Sequence, residues 1–284
     1  MVFLGLASAL SVAITVGIVF ALLLPALDFF REVSVWDFLT GTRWAPTFSN
    51  ADFGVLPLIT GTLWTTVLAL MVAVPVGLGV AIYLSEYATP RVRKVLKPAL
   101  EVLAGIPSVV YGYFALAFVA PVVLEQIMRI ELGTYSVLAA GLVLGIMIIP
   151  TVASLSEDSL SAVPQSLRQG SLALGANRMR TTLRVVFPAA ISGIAASIVL
   201  ALSRAVGETM IVALAAGTQA QLVGKATDSG QTMTGFIAQT ATGESTPGTL
   251  GYNTLFAVGL LLFTITLLIN IISIRLVRRF REAY

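Results

Sequence analysis

Apolar residues along this chain gather into six long stretches, roughly Phe3–Leu27, Leu56–Leu84, Pro98–Leu124, Tyr135–Ala153, Pro188–Gly217 and Tyr252–Ile274. Each runs to about 20 residues or more, the length a helix needs to cross ~30 Å of hydrocarbon. Inside lipid a segment must close its own backbone hydrogen bonds, which makes helix the default; short alternating strands of the barrel kind are absent. The pattern predicts an all-α polytopic membrane protein, one transmembrane domain over residues 1–284 with six spanning helices and a polar loop, 154–187, between the fourth and fifth.

Proline interrupts several of these stretches at Pro75, Pro107 and Pro121, and each removes a backbone donor and bends its helix. Pro75–Gly79 and Gly105–Gly112 (GIPSVVYG) pair proline with glycine, a combination that suits either close helix packing or a broken helix beside a pathway. Two polar connections are long. Asp28–Val55 carries Trp36, Trp44 and Phe48, rings suited to the headgroup region. In Thr218–Gly251, the residues Met233, Phe236, Ile237 and Thr240 recur at helical spacing, which predicts a short interfacial or re-entrant helix.

Composition agrees with lipid as the solvent. Apolar residues are 57% of the chain and charged residues 11%, with a mean hydropathy of +0.94, against about 25% charged residues in soluble domains. The absence of cysteine and histidine removes disulfides, thiol chemistry and imidazole proton transfer. The slight basic excess is too small to suggest nucleic acid, and its distribution is more telling. One set of connections holds Arg91, Arg93, Lys94, Lys97, Arg168, Arg178, Arg180, Arg184, Arg275, Arg278, Arg279 and Arg281; the other holds Arg31, Arg43, Arg129 and Lys225. The positive-inside rule places the first set, and both termini, in the cytoplasm. The first stretch lacks a basic leader region and is too long for a signal peptide, so it reads as a retained helix.

The loop between the fourth and fifth stretches has its own local code. Pro164 suits the first position of a helix, on which Leu167, Ser171 and Leu174 share a face while Arg168 and Gln169 point elsewhere. Gly175 stops that helix, and Asn177 caps a second beginning at Arg178. Two short helices with an apolar face and a basic flank fit a socket on another protein. They fit an anionic lipid surface equally well.

The fifth stretch carries Ser203-Arg204-Ala205-Val206-Gly207-Glu208-Thr209. A charge at membrane depth costs roughly 2.5–3.5 kcal/mol on insertion scales. On an unbroken helix Arg204 and Glu208 lie on one face and neutralise each other, though Arg before Glu is the weaker order. A guanidinium fork also matches a tetrahedral oxyanion. Arg204 is thus the candidate anion contact and Glu208 its orienting partner, or the acceptor for a proton on a protonated phosphate. Ser203 and Thr209 flank the pathway. The alternative is a structural ion pair between helices.

The spacing Gln169–x5–Gly175–x9–Val185–x–Phe187–Pro188 resembles the EAA loop of ABC importer permeases, with Gln169 in place of the usual Glu and Gly170 and Ser171 in place of two alanines. RAVGETMIV (Arg204–Val212), LAGIPSVVYGYFAL (Leu103–Leu116), GIMIIPTVASLSEDSL (Gly145–Leu160) and WDFLTGTRWAP (Trp36–Pro46) are similar to PstC-type permeases of the phosphate-specific ABC importer, along essentially the whole chain. The resemblance implies a type I ABC importer permease of the bacterial inner membrane. It implies that Leu167, Gln169, Gly170, Ser171, Leu174, Gly175 and Asn177 belong to coupling helices seated in a partner ATPase. It also implies inorganic phosphate as cargo, with Arg204 and Glu208 on its path. A PstA-type sister permease, a PstB-type ATPase pair holding ATP and Mg, and a PstS-type binding protein complete the complex. The chain itself has no phosphate-binding loop, is no enzyme and binds no cofactor by this reading. Eight acidic residues against four basic ones on the outer side (Asp28, Glu32, Asp37, Asp52, Glu125, Glu131, Asp228 and Glu244) would not steer a free anion inward, and a docked carrier removes that difficulty. Alternatives are the PstA-type sister, a permease for another oxyanion, and a secondary anion transporter, although neither inverted repeats nor several midplane carboxylates are evident.

Overall fold

The computed structural model describes residues 2–279 apart from 49, 244–245 and 247; Glu244 and Arg281, used in the charge balance, lie outside the described residues. The first and last apolar stretches form single helices, α1 (Val2–Glu32) and α13 (Leu250–Arg279), which pack on each other with much apolar surface exposed. After α1 come α2 (Val35–Thr40) and an antiparallel hairpin, β1 (Trp44–Ala45) with β2 (Asp52–Phe53), in register Trp44 to Phe53. Trp44 is buried there, edge-on to Phe38 and Phe236 with centroids 6.2 and 4.9 Å away, while Trp36 and Phe48 are exposed. Only those two rings stand where a headgroup belt could take them.

The bundle is built on α3 (Leu56–Ile82) against α6 (Val137–Ser161). Lipid supplies no hydrophobic drive between helices, so association depends on close approach of small residues. A Cβ added at Gly141 would lie 2.6 Å from Leu68 Cβ, and one at Gly145 would lie 2.9 Å from the Ala69 carbonyl oxygen. Pro75 sits within an unbroken α3, so of the two readings of Pro75–Gly79 the structure takes packing. Both helices begin at the hairpin end: Val55 N donates to Phe38 O at 2.8 Å, and Val137 N to Asp228 O at 3.0 Å. α3 closes at the far end in a π-helical turn, Tyr83–Tyr87.

The third span begins at Ser108 and not at Pro98. α4 (Pro90–Ala104) is a separate amphipathic helix that buries none of its residues, opened by Thr89, whose side chain accepts from Val92 N at 3.4 Å. Pro107 disfavours helical conformation at Ile106 and cannot donate, so the chain breaks over Gly105–Pro107. The spanning element is α5 (Ser108–Phe114), continued in π-helical form over Ala115–Ile127.

Beyond α6 lie α7 (Gln165–Ala173), α8 (Arg178–Thr181), a π-helical turn over Thr182–Val186 and α9 (Phe187–Ala189), then α10 (Ile191–Val206), α11 (Met210–Ala215) and α12 (Met233–Thr242). Among the described residues five helices are long and apolar enough to cross a membrane, and the bent pair Arg178–Ala189 and Ile191–Val206, angled at 70°, raises the number to six if it forms one span. The helix expected near Met233 is α12. Met233 and Phe236 are buried in it, and Ile237 packs on the same cluster.

Candidate functional site

Two places in the bundle concentrate polar chemistry: a break in the fifth span and the loop of α7 and α8. At the break, α10 ends at Val206, Gly207 closes its last turn by donating to Ser203 O at 3.2 Å, and α11 restarts at Met210. Glu208 is used by the backbone of the new helix, since its Oε1 accepts from Met210 N at 3.0 Å and from Ile211 N at 3.3 Å. Thr234 of α12 donates to the Glu208 carbonyl at 2.6 Å and pins the break from the other side.

This arrangement corrects the expected Arg204–Glu208 pair. No ion pair joins them among the described residues, because the four-residue relation needs a continuous helix and the chain unwinds at Gly207. Arg204 instead donates from Nη1 to Thr151 Oγ1 on α6 at 3.1 Å, and no carboxylate pairs with it among the described residues. A guanidinium has five donors, so this side chain keeps capacity for an oxyanion. Ser203 donates to Asn270 Oδ1 of α13 at 3.0 Å, and Thr209 donates to its neighbour Gly207 O at 3.3 Å. The Gly105–Gly112 stretch packs beside the break: at Gly112 a Cβ would meet Leu214 Cδ1 at 2.9 Å and Met210 O at 3.0 Å.

In the loop, Pro164 is the residue before the helix and Gln165 is its first. α7 ends in a Schellman turn, with Ala176 N donating to Ser171 O at 3.2 Å and Gly175 N to Leu172 O at 3.0 Å. Gly175 has φ +83°, a conformation glycine adopts without strain. Asn177 Oδ1 accepts from Arg180 N at 2.8 Å and caps α8. The two helices are tied by a hydrogen bond of 3.0 Å between Ser171 and Thr181. Leu167 packs inward against Val163, Val186 and their neighbours. Leu174 does not share that face: it lies past the helical turn and is 90% exposed, with Leu172 and Met179 also exposed nearby. Gln169 lines a cavity of about 530 Å³ with Arg168 and Arg178. A Cβ at Gly170 or Gly175 would meet nothing within 4 Å.

Sequence reasoning missed the ionic network behind this loop. Arg168, read as an outward cation, is half-buried, pairs with Glu86 at 2.9 Å and donates to Leu160 O at 2.8 Å and to Val163 O. Glu157 has 0% exposure and takes Lys97 at 2.8 Å together with Arg93, while Lys97 also reaches Asp158 at 2.6 Å. A carboxylate just past the end of an apolar run, such as Glu86 two residues after the second stretch, was the available signal for a buried partner.

A six-span bundle of this topology, with a bent and broken fifth span and a two-helix loop at one end, defines a type I ABC importer permease. Residues 73–282 match the family described as binding-protein-dependent transport system inner membrane component, and the chain belongs to that family. It is 40% identical over 247 residues to the probable ABC transporter permease protein YqgH of Bacillus subtilis, covering 86% of this chain and 79% of that one. It is 33% identical over 262 residues to the phosphate transport system permease protein PstC of Haemophilus influenzae (86% and 82% covered). The corresponding figures for PstC 1 of Mycobacterium tuberculosis are 34% over 278 residues, with 85% and 81% covered. These relatives bear out the PstC-type resemblance. Among solved structures, a chain of the MetNI methionine ABC transporter aligns with TM-score 0.56 at 22% identity over 81% of this chain and 95% of that one. A chain of a bacterial ABC transporter involved in alginate import aligns with TM-score 0.60 at 15% identity (93% and 96%). At such identities the likeness concerns the fold.

Proposed function

We propose that this chain is the PstC-type half of a heterodimeric permease that carries inorganic phosphate into the cytoplasm at the expense of ATP. The observation that carries the reading is Arg204, a guanidinium at a break in a membrane span, steadied by Thr151 and unpaired with any carboxylate among the described residues. A planar fork with unused donors at membrane depth is matched to phosphate oxygens. Ser203 and Thr209 line the same break, and Glu208 maintains it by capping α11.

Coupling is assigned to the α7–α8 loop, with Leu167 holding it to the body, Ser171 tying α7 to α8, and Gln169, Gly170, Leu174, Gly175 and Asn177 forming the knob. Exposed Leu172, Leu174 and Met179, beside glycines with open space, support a protein socket over a lipid surface. ATP and its magnesium belong to a PstB-type ATPase pair that supplies that socket. The Lys and Arg distribution supports cytoplasmic termini, and the acidic outer connections support direct handover from a PstS-type binding protein, with a PstA-type chain as the other half.

The test replaces Arg204 with Gln in the reconstituted complex and measures uptake and ATPase rate separately, with phosphate, sulfate and molybdate compared. Phosphate uptake should collapse while ATP hydrolysis persists. Undiminished uptake would sink the assignment.

A further inference from the structure

We infer that α6 is a connecting rod between the coupling loop and the anion contact, with Arg168 and Thr151 as positioning residues at its two working points. The inference rests on the reading of Arg204 and α7 given above. It begins with the last carbonyls of α6, which, as at any helix end, have no partner within the helix. Arg168, in the first turn of α7, reaches that end: its guanidinium takes Leu160 O at 2.8 Å, an oxygen that also accepts from Val163 N at 3.3 Å, and Val163 O just beyond the helix. The same group donates twice to Glu86 Oε1, from Nη2 at 2.9 Å and from Nε at 3.3 Å. One side chain therefore fastens α7 to the ends of both α6 and α3. A lysine ammonium has one donor centre, cannot span these three acceptors at once, and would satisfy only part of the joint.

The other working point lies nine residues back along α6, where Thr151 accepts from Arg204. Residues 151–160 are uninterrupted helix, about 14 Å long at 1.5 Å per residue. Two contacts keep that segment from bending independently. Val152 is wedged against Gly77 of α3, and the hydroxyls of Ser156 and Ser197 meet at 2.7 Å between α6 and α10. A displacement imposed on α7 thus reaches α6 through Arg168, passes along a stiff element, and arrives at the guanidinium through Thr151. Contiguity of this kind becomes coupling only when perturbing one end changes the behaviour of the other.

The chain has no cysteine, which permits a clean reporter at Gly207. Its φ is −87°, and an added Cβ meets Ser203 O at an ordinary 3.4 Å, so Gly207→Cys should fold. In the purified complex with the sister permease and ATPase, alkylation of this thiol by a water-soluble maleimide is timed with and without ATP and vanadate. Nucleotide should change the rate by roughly 2- to 30-fold, the range of known coupling effects. Arg168→Gln, Arg168→Lys and Thr151→Val should each abolish the nucleotide dependence while the ATPase still co-purifies. Should Arg168→Gln fail to assemble, Arg168→Lys decides, since it keeps a cation opposite Glu86. A nucleotide-independent rate in the parent overturns the rod, as does a dependence that survives both Arg168 variants, or loss of assembly in both. Phosphate is absent from this assay, so failure of the phosphate reading registers in uptake alone.

Discussion

Gly77 of α3 faces Val152 of α6 across a gap with no room for a methyl group: an added Cβ would lie 2.7 Å from Val152 Cβ and 3.3 Å from Ile149 O. At this level the Val152 side chain lies directly against the Gly77 backbone, so the glycine sets how closely the two helices approach.

Gly77→Ala is therefore expected to push α3 and α6 apart and lower stability by about 1–3 kcal/mol, the usual cost of overpacking. Gly79, two residues on, has nothing within 4 Å of its added Cβ. Melting temperatures in detergent should fall for Gly77→Ala and stay unchanged for Gly79→Ala. Equal shifts would show that helix propensity and not contact governs the site.

Lys97 fixes the amphipathic α4 to the end of α6, and its ammonium is held charged. Hydrogen bonds to Asp158 and then Glu157 raise its pKa above the ordinary 10.5, outweighing the opposite pull of burial. A group with a raised folded pKa contributes its full stability below the unfolded value and loses it as pH climbs through the folded one. Lys97→Met should thus cost about 1 kcal/mol, as a partly exposed pair does, evenly from pH 7 to 10. The gap between variant and parent should narrow only at higher pH. Melting curves across that range check both the sign and the window.

At Gly175 a side chain would be strained by the left-handed backbone, φ +83°, at roughly 1–2 kcal/mol. Gly170 has an ordinary helical backbone and open space around it. Gly175→Val should deform the turn between α7 and α8 and weaken ATPase co-purification. Gly170→Leu should leave the permease as stable as the parent and yet lose the ATPase, because only a partner's surface is there to be obstructed. Asn177→Ala, which removes the α8 cap, should cost about 1 kcal/mol. Retained ATPase binding in Gly170→Leu argues against a socket.

The sequence was most legible where structure is decided locally. Gly175 and Asn177 announce a helix stop and start because each meets a backbone need of its own turn, and Pro107 announces a break for the same reason. It was misleading where a local rule met a non-local outcome. Four-residue spacing joined Arg204 to Glu208, yet Gly207 unwinds the helix and Arg204 turns to Thr151, 53 positions away. Likewise, Arg168 looked like one more surface cation until Glu86, 82 positions earlier, arrived beside it. Leu174 was assigned to the packed face by periodicity, but the helix had already ended. The basic run Arg91–Lys97 signalled sidedness and concealed a separate helix, because Pro98 looked like the start of the apolar stretch that follows.

Glu208 separates two accounts of the break. In the first, its carboxylate charge acts on the cargo, orienting Arg204 or accepting a proton from phosphate. In the second, its oxygen serves only the backbone, as the bonds from Met210 N and Ile211 N indicate. Glutamine keeps a carbonyl oxygen in the same place and can accept both bonds without the charge. Alanine removes the acceptor and leaves two amides of α11 unsatisfied, at about 1 kcal/mol of local stability. Glu208→Gln should therefore transport phosphate nearly as well as the parent, whereas Glu208→Ala should transport poorly and show faster amide exchange over Met210–Ala215. Transport lost in Glu208→Gln, with that exchange still protected, would instead assign the charge a direct part in moving the anion.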